Sequence, residues 1–218
     1  MRQIFKFGIL FVFAGLLFSA CGGKKDGSPM EVLPKKIYQQ IDGKYAEIND
    51  FYEGLACVRC KVDGETLYGY IDNKGKEVIP CIYDYAGWFS EGVAVVRKGS
   101  GTGVIGKKGE IIVPLEYYSV DNCENGVILV QEDWSTYGAF DAKGRQIIPF
   151  EYSYLGSPYD GMILAKNEER MYGYFNLKGD LVIDFIYDDA SHFSEGLAVV
   201  EMDKKEICID TKGKEVFR

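Results

Sequence analysis

The chain is 218 residues long, with 33 acidic and 25 basic side chains and a formal net charge of −8. An acidic surface with no basic stripe repels phosphate backbones, which excludes nucleic acid as a partner. Apolar types make up 47% of the residues, enough for a buried core and too many for a disordered chain.

Arg2 and Lys6 flank the start of an apolar run from Phe7 to Phe18. The run is shorter than the ~20 residues that cross a bilayer. Its length and flanks suit the apolar segment of a secretory signal. It ends in Leu17-Phe18-Ser19-Ala20-Cys21, which resembles a bacterial lipobox, with Phe18 in place of the usual aliphatic residue. The resemblance implies that residues 1–20 are removed and that Cys21 is acylated. Two chains on one cysteine anchor a protein stably without a span. The Gly-rich, polar stretch from Gly22 to Pro29 suits a flexible tether. The expected organisation is a leader (1–20), an anchor and tether (21–36) and a β domain (37–218). Gly22 is not the Asp that favours inner-membrane retention, so the same resemblance implies the outer membrane of the cell envelope.

The β domain is repetitive. Phe193-Ser194-Glu195-Gly196-Leu197-Ala198-Val199-Val200 returns as Phe89-Ser90-Glu91-Gly92-Val93-Ala94-Val95-Val96. One glycine column (Gly54, Gly92, Gly126, Gly161, Gly196) and a second (Gly75, Gly109, Gly144, Gly179, Gly213) share a period of about 35 residues. Five copies at one period imply stacked or radially arranged units. Within each unit, short apolar runs bounded by turn residues predict buried strands. Asp72-Asn73-Lys74-Gly75 and its copies predict a tight turn that needs positive φ at the glycine. Pro80, Pro114 and Pro149 are expected to end the third strand of their units. No stretch combines helical caps with helical periodicity. The fold class expected is all-β: five tandem β-meander units. The chain starts and stops in mid-unit, which favours a propeller-like ring closed by a split unit over an open array.

Gly69-Tyr70-Ile71-Asp72-Asn73-Lys74-Gly75, with a following Val-Ile-Pro, Ile-Tyr-Asp and Phe-Ser-Glu-Gly, resembles the WG (or KWG) repeat family. The resemblance covers residues 45 to 217. The namesake tryptophan is absent: Tyr68, Thr102, Tyr137 and Tyr172 precede the column glycines, and the fifth copy has Glu206-Ile207. Tyrosine offers the same apolar ring with a polar tip. The family implies a non-catalytic binding scaffold.

Candidate sites separate from packing positions by column. Cys57, Cys81, Cys123 and Cys208 fall in apolar columns and act as small hydrophobes, while Cys60 aligns with Lys98 and Glu132 as an exposed thiol. Cys57 and Cys60 point to opposite faces of one strand and cannot chelate together. With His192 the only histidine, neither a metal nor a cofactor is expected. A Cys57–Cys81 disulfide stays open. The acidic column (Glu53, Glu91, Asp160, Glu195) and the lysine column (Lys74, Lys108, Lys143, Lys178, Lys212) read as solvated turn residues. The tyrosine column (Tyr45, Tyr83, Tyr117, Tyr152, Tyr187) reads as core. Gly99-Ser100-Gly101-Thr102-Gly103 reads as a hairpin turn, lacking the Gly-Lys-Ser/Thr ending of a phosphate loop.

Aromatics outside the columns are the contact candidates: Tyr85, Trp88, Trp134, Tyr154 and Tyr159. The reading is a lipid-anchored envelope scaffold, not an enzyme, that binds another protein or peptide. The alternative is a glycan binder using Trp88 and Trp134 as stacking platforms, which requires those two rings to be exposed and close together.

Overall fold

The computed structural model of the chain describes residues 35–41 and 43–217. The leader, Cys21 and most of the tether lie outside the described residues. Five four-stranded antiparallel sheets follow one another, each built from four consecutive strands. Unit 1 holds β1 (Glu47–Tyr52), β2 (Leu55–Val62), β3 (Glu65–Asp72) and β4 (Glu77–Tyr83). Unit 2 holds β5 (Tyr85–Ala86), β6 (Val93–Lys98), β7 (Gly101–Gly106) and β8 (Ile111–Tyr117). In unit 3 these are β9 (Ser119–Val120), β10 (Val127–Gln131), β11 (Tyr137–Asp141) and β12 (Gln146–Tyr152). Unit 4 has β13 (Tyr154–Leu155), β14 (Met162–Lys166), β15 (Tyr172–Asn176) and β16 (Leu181–Tyr187). Unit 5 has β17 (Asp189–Ala190), β18 (Leu197–Met202), β19 (Lys205–Asp210) and β20 (Glu215–Phe217).

The second strands read as continuous apolar runs because each inner sheet is covered on both faces. On β2, Ala56 and Val58 face one way, and Leu55 and Cys57 the other; all four are buried. Leu55, Cys57, Tyr70, Ile79 and Tyr83 of unit 1 pack on Ala86, Phe89, Ala94, Val96 and Ile105 of unit 2. The same leading-face and trailing-face pairing recurs between units 2 and 3, 3 and 4, and 4 and 5. Buried polar tips are satisfied across these junctions. The Tyr70 hydroxyl donates to the Gly87 carbonyl at 2.8 Å and Tyr174 to the Ser191 carbonyl at 2.7 Å. The tyrosine column is core, as its spacing implies: Tyr45, Tyr83, Tyr117 and Tyr187 are buried.

Three expectations are corrected. First, no unit is split: Glu47–Tyr52 opens the first sheet and Glu215–Phe217 closes the fifth. Apolar clusters join each unit to the next, and none among the described residues joins the fifth to the first. Second, the prolines do not end strands. Pro80, Pro114 and Pro149 lie inside β4, β8 and β12, the outermost strands, where a register shift leaves a bulge and no ladder bond is lost. Third, there is a helix, α1 (Lys35–Ile41), of seven residues.

That helix closes the open end of unit 1. Ile41 is buried with Tyr45, Ala56, Val58 and Ile71. Ile37 and Ile41 cover the Gly75 turn, 2.9 and 3.2 Å from where a β-carbon would stand. Ile79, Ile112, Ile147 and Ile183 cover Gly109, Gly144, Gly179 and Gly213 in the same way, each from the preceding unit. The helix therefore takes the place that a preceding unit would fill.

Candidate functional site

The Glu-Gly turns that open the second strands line up along one rim. Glu53, Glu91, Asn125, Asp160 and Glu195 all adopt φ between 49° and 53°, each followed by a positive-φ glycine. Asn125 and Asp160 are of types that tolerate this left-handed conformation well, whereas Glu53, Glu91 and Glu195 adopt it without that preference. Their carboxylates are not a solvated ring but a ladder between units. Glu53 Oε2 accepts the Gly92 N–H at 2.9 Å. Glu91 accepts from Asn125 N at 2.9 Å and Gly126 N at 2.6 Å, and Asp160 from Gly196 N at 2.8 Å. Asn125 is the missing rung. Sequence columns showed where these acids sit but not that Glu53, Glu91 and Asp160 reach the next copy.

The five aromatic candidates fall into three places. Tyr85 and Trp88 flank Gly87 on the turn rim, and Trp88 meets Tyr52 of the preceding unit at 5.9 Å between ring centroids. Tyr154 and Tyr159 gather around Gly156, where Tyr159 meets His192 of the following unit edge-on at 4.9 Å. The two pairs are equivalent, because Tyr52 and Tyr159 occupy one position of the repeat and Trp88 and His192 another. Tyr52 and His192 are the members that sequence reasoning missed. The signal was a departure from the small or polar residues found at those positions in other copies. Burial holds the His192 imidazole below its ordinary pKa, and its Nδ1 is buried with no hydrogen-bond partner.

Trp134 is elsewhere. It lies in the hairpin between β10 and β11, 81% exposed, against Tyr118 at 4.6 Å. Trp88 precedes its strand and Trp134 follows its own, so they stand on opposite rims, about 20 Å apart for strands of this length. The closeness required for a joint stacking platform is not met.

A third line of positions runs along the first strands. Cross-strand neighbours set Glu47 beside Arg59, Tyr85 beside Arg97, Ser119 beside Gln131 and Tyr154 beside Lys166. The Arg59 guanidinium reaches Glu47 at 3.1 Å, and Lys166 Nζ donates to the Tyr172 hydroxyl at 3.1 Å. In unit 5 the same row reads Asp189, Glu201, Glu206.

The cysteines are also corrected. Cys60 is not an exposed thiol but is bonded to Cys81. The bulge in β4 brings Cys81 across Gly69, which has no side chain to keep the two apart. Cys57 and Cys123 are buried free thiols. Burial pushes Cys57 up to about 11. Burial, with the Glu91 carboxylate beside it, pushes Cys123 up to about 12. Among the described residues no group of three His, Cys, Asp or Glu side chains could hold a metal ion, and no helix is long and apolar enough to cross a membrane.

No curated protein matches the chain. Among solved structures it is similar to BamB from Moraxella catarrhalis, at 10% identity and a TM-score of 0.35, over 74% of this chain and 60% of that one. A eukaryotic initiation factor matches at 14% identity and a TM-score of 0.46, over 78% of this chain and 54% of that one. The WD40 β-propeller domain of Doa1 matches at 9% identity and a TM-score of 0.33, over 75% and 61% respectively. The chain thus spans less than two thirds of each of these three. The family model for the WG containing repeat matches five times, at residues 41–61, 68–101, 103–133, 137–170 and 172–205. Five matches stand beside five sheets, the last four each running from the third strand of one sheet into the second strand of the next, and the chain belongs to the WG-repeat family.

Proposed function

We propose that the chain is a non-catalytic scaffold, lipid-anchored through Cys21 at the cell envelope, that binds a protein or peptide along its turn rim. The observation that carries this reading is the repeated aromatic pair. Tyr52 with Trp88, and Tyr159 with His192, sit at equivalent junctions on one rim, with Tyr85 and Tyr154 beside them. Exposed aromatics on a rigid array give contact area with little loss of side-chain freedom. A carboxylate-to-turn-amide rung lies at each of these two junctions, Glu53 to Gly92 and Asp160 to Gly196, and holds the two units of each pair together. The leader and tether support the location. Outer-membrane placement rests on Gly22 following the acylated cysteine.

The test is retention of envelope components by the intact lipoprotein, with protein and glycan fractions assayed separately. Trp88→Ala with Tyr159→Ala should abolish retention of the protein fraction, while Trp134→Ala should not. Loss with Trp134→Ala alone, or retention of glycan only, would overturn the reading. Cys21→Ser should release the protein from membranes; unchanged membrane retention with normal processing would remove the anchor from the proposal.

A further inference from the structure

Unit 5 differs from the other four in how open its trailing face is and in the charge that face carries. In units 1 to 4 the trailing face is sealed by the next unit: Cys57, Val95, Leu129 and Leu164 are 5%, 7%, 5% and 4% exposed, whereas the equivalent Val199 is 48% exposed. Leu197 and Cys208 beside it are only partly covered. The acid that should bond the next turn, Glu195, has no hydrogen bond or ion pair among the described residues. The row that carries a cation or an amide at its centre elsewhere becomes three carboxylates abreast, Asp189, Glu201 and Glu206.

The outer edge of unit 5 differs as well. In units 1, 3 and 4 the column glycine lets the bulged outer strand cross it. An ideal β-carbon would stand 2.5 Å from the Ile79 carbonyl oxygen at Gly69, and 2.7 Å from that of Ile183 at Gly173. At Gly138 it would stand 2.8 Å from the Phe150 ring. Unit 5 has Ile207 there, packed against the apolar cluster it shares with unit 4. A β-branched side chain thus stands where the other units leave the crossing point open.

Two occupants are disfavoured by the residues themselves. A second copy docked face to face would oppose the carboxylate row with its own, and like charges placed opposite one another repel. A second copy docked head to tail would need the leading face of unit 1, which α1 already covers. We infer that the trailing face of unit 5 docks a different polypeptide that is basic and apolar. Its aliphatic side chains would cover Leu197, Val199 and Cys208, and its lysines or arginines would meet Asp189, Glu201 and Glu206. The inter-unit junctions supply the precedent for burial on this face, and the carboxylate row supplies the charge selection. This surface is separate from the turn rim, so the two proposals stand or fall independently.

The probe is a short labelled peptide of lysine and leucine in mixed order, titrated into the intact protein and followed by fluorescence anisotropy. Glu201→Lys with Glu206→Lys should weaken binding about tenfold or more, since truncated or reversed charges at a docked face act directly on dissociation. Val199→Asp should weaken it similarly, and its half-exposed position leaves the fold intact, as an unchanged thermal melt would show. Glu116→Lys with Glu151→Lys changes the net charge equally on distant outer strands and should leave binding unchanged. Equal loss in both double variants would reduce the effect to overall charge and overturn the inference. So would equal binding of a serine–leucine peptide, or no binding of the lysine–leucine peptide. A wild-type dimer in sedimentation that Val199→Asp converts to monomer would give the face to a second copy and overturn it as well.

Discussion

Gly173 needs no positive φ, yet it has no room for a side chain, because the Ile183 carbonyl of β16 lies over it. This is the physical content of the glycine in the family's name: it is the crossing point for the bulged outer strand. Gly173→Ala should therefore cost about 1–3 kcal/mol, the range for overpacking, read from urea denaturation. An unchanged midpoint would mean that β16 yields there without cost. The thiols give a second residue-scale prediction. Cys57 and Cys123 are buried and their ionisation is pushed up to about 11 and about 12, so the reactive thiolate is scarce. Native alkylation at about pH 8 should spare both and modify Cys208, which is only partly covered. Mass spectrometry of the alkylated peptides decides, and fast labelling of Cys57 or Cys123 would refute the buried assignment.

At the scale of elements, α1 is a plug whose value lies in two side chains, Ile37 and Ile41. Ile41→Asp would place a carboxylate against Ala56, Val58 and Ile71. The expected cost is about 2–4 kcal/mol, as for other buried unpaired charges. Hydrogen exchange should show the loss concentrated in β2 and β3, with β14 and β15 still protected; a uniform loss would mean that the units do not open separately. The element scale is also where sequence reasoning succeeded and failed. The period, the Asp-x-Lys-Gly turns and the three longer strands of each unit were legible, because each copy confirms the others. Asp72 Oδ1 accepts from Lys74 and Lys76 N–H groups at 2.9 Å, and Asp141 and Asp210 repeat the pattern. The helix was not legible: seven residues make two turns, too few for a period, and it has no counterpart in the other copies. Two-residue strands such as Tyr85–Ala86 cannot show alternation either. The Cys60–Cys81 bond depends on a bulge that shifts β4 against β3, and column alignment carries no register across strands. Of the aromatic candidates, Tyr154 and Tyr159 come together and Trp88 and Trp134 do not, since nothing in a linear spacing says which rim a loop residue occupies.

Across the whole molecule, each unit touches only its neighbours, so stability is a sum of unit and junction contributions. The junctions are unequal. Units 1 to 2, 2 to 3 and 4 to 5 carry a carboxylate rung, while Asn125 leaves the junction of units 3 and 4 without one. Units 1–3 and units 4–5 should consequently lose amide protection at different urea concentrations. Asn125→Asp should bring the two transitions together by adding a charge-assisted bond worth about 1.5–3 kcal/mol. Two transitions that remain as far apart in Asn125→Asp as in the wild type would place the seam elsewhere. The column glycine has a consequence for length. A copied unit brings its own crossing point, so the middle of the array can take one without disturbing α1 or the face of unit 5. A duplicate of unit 2 inserted after Tyr117 should fold into a six-sheet protein whose added strands are protected in hydrogen exchange; an unprotected insert would mean that the junctions are not interchangeable. Copy number can thus change in the middle of the array while its covering helix and its charged face stay as they are.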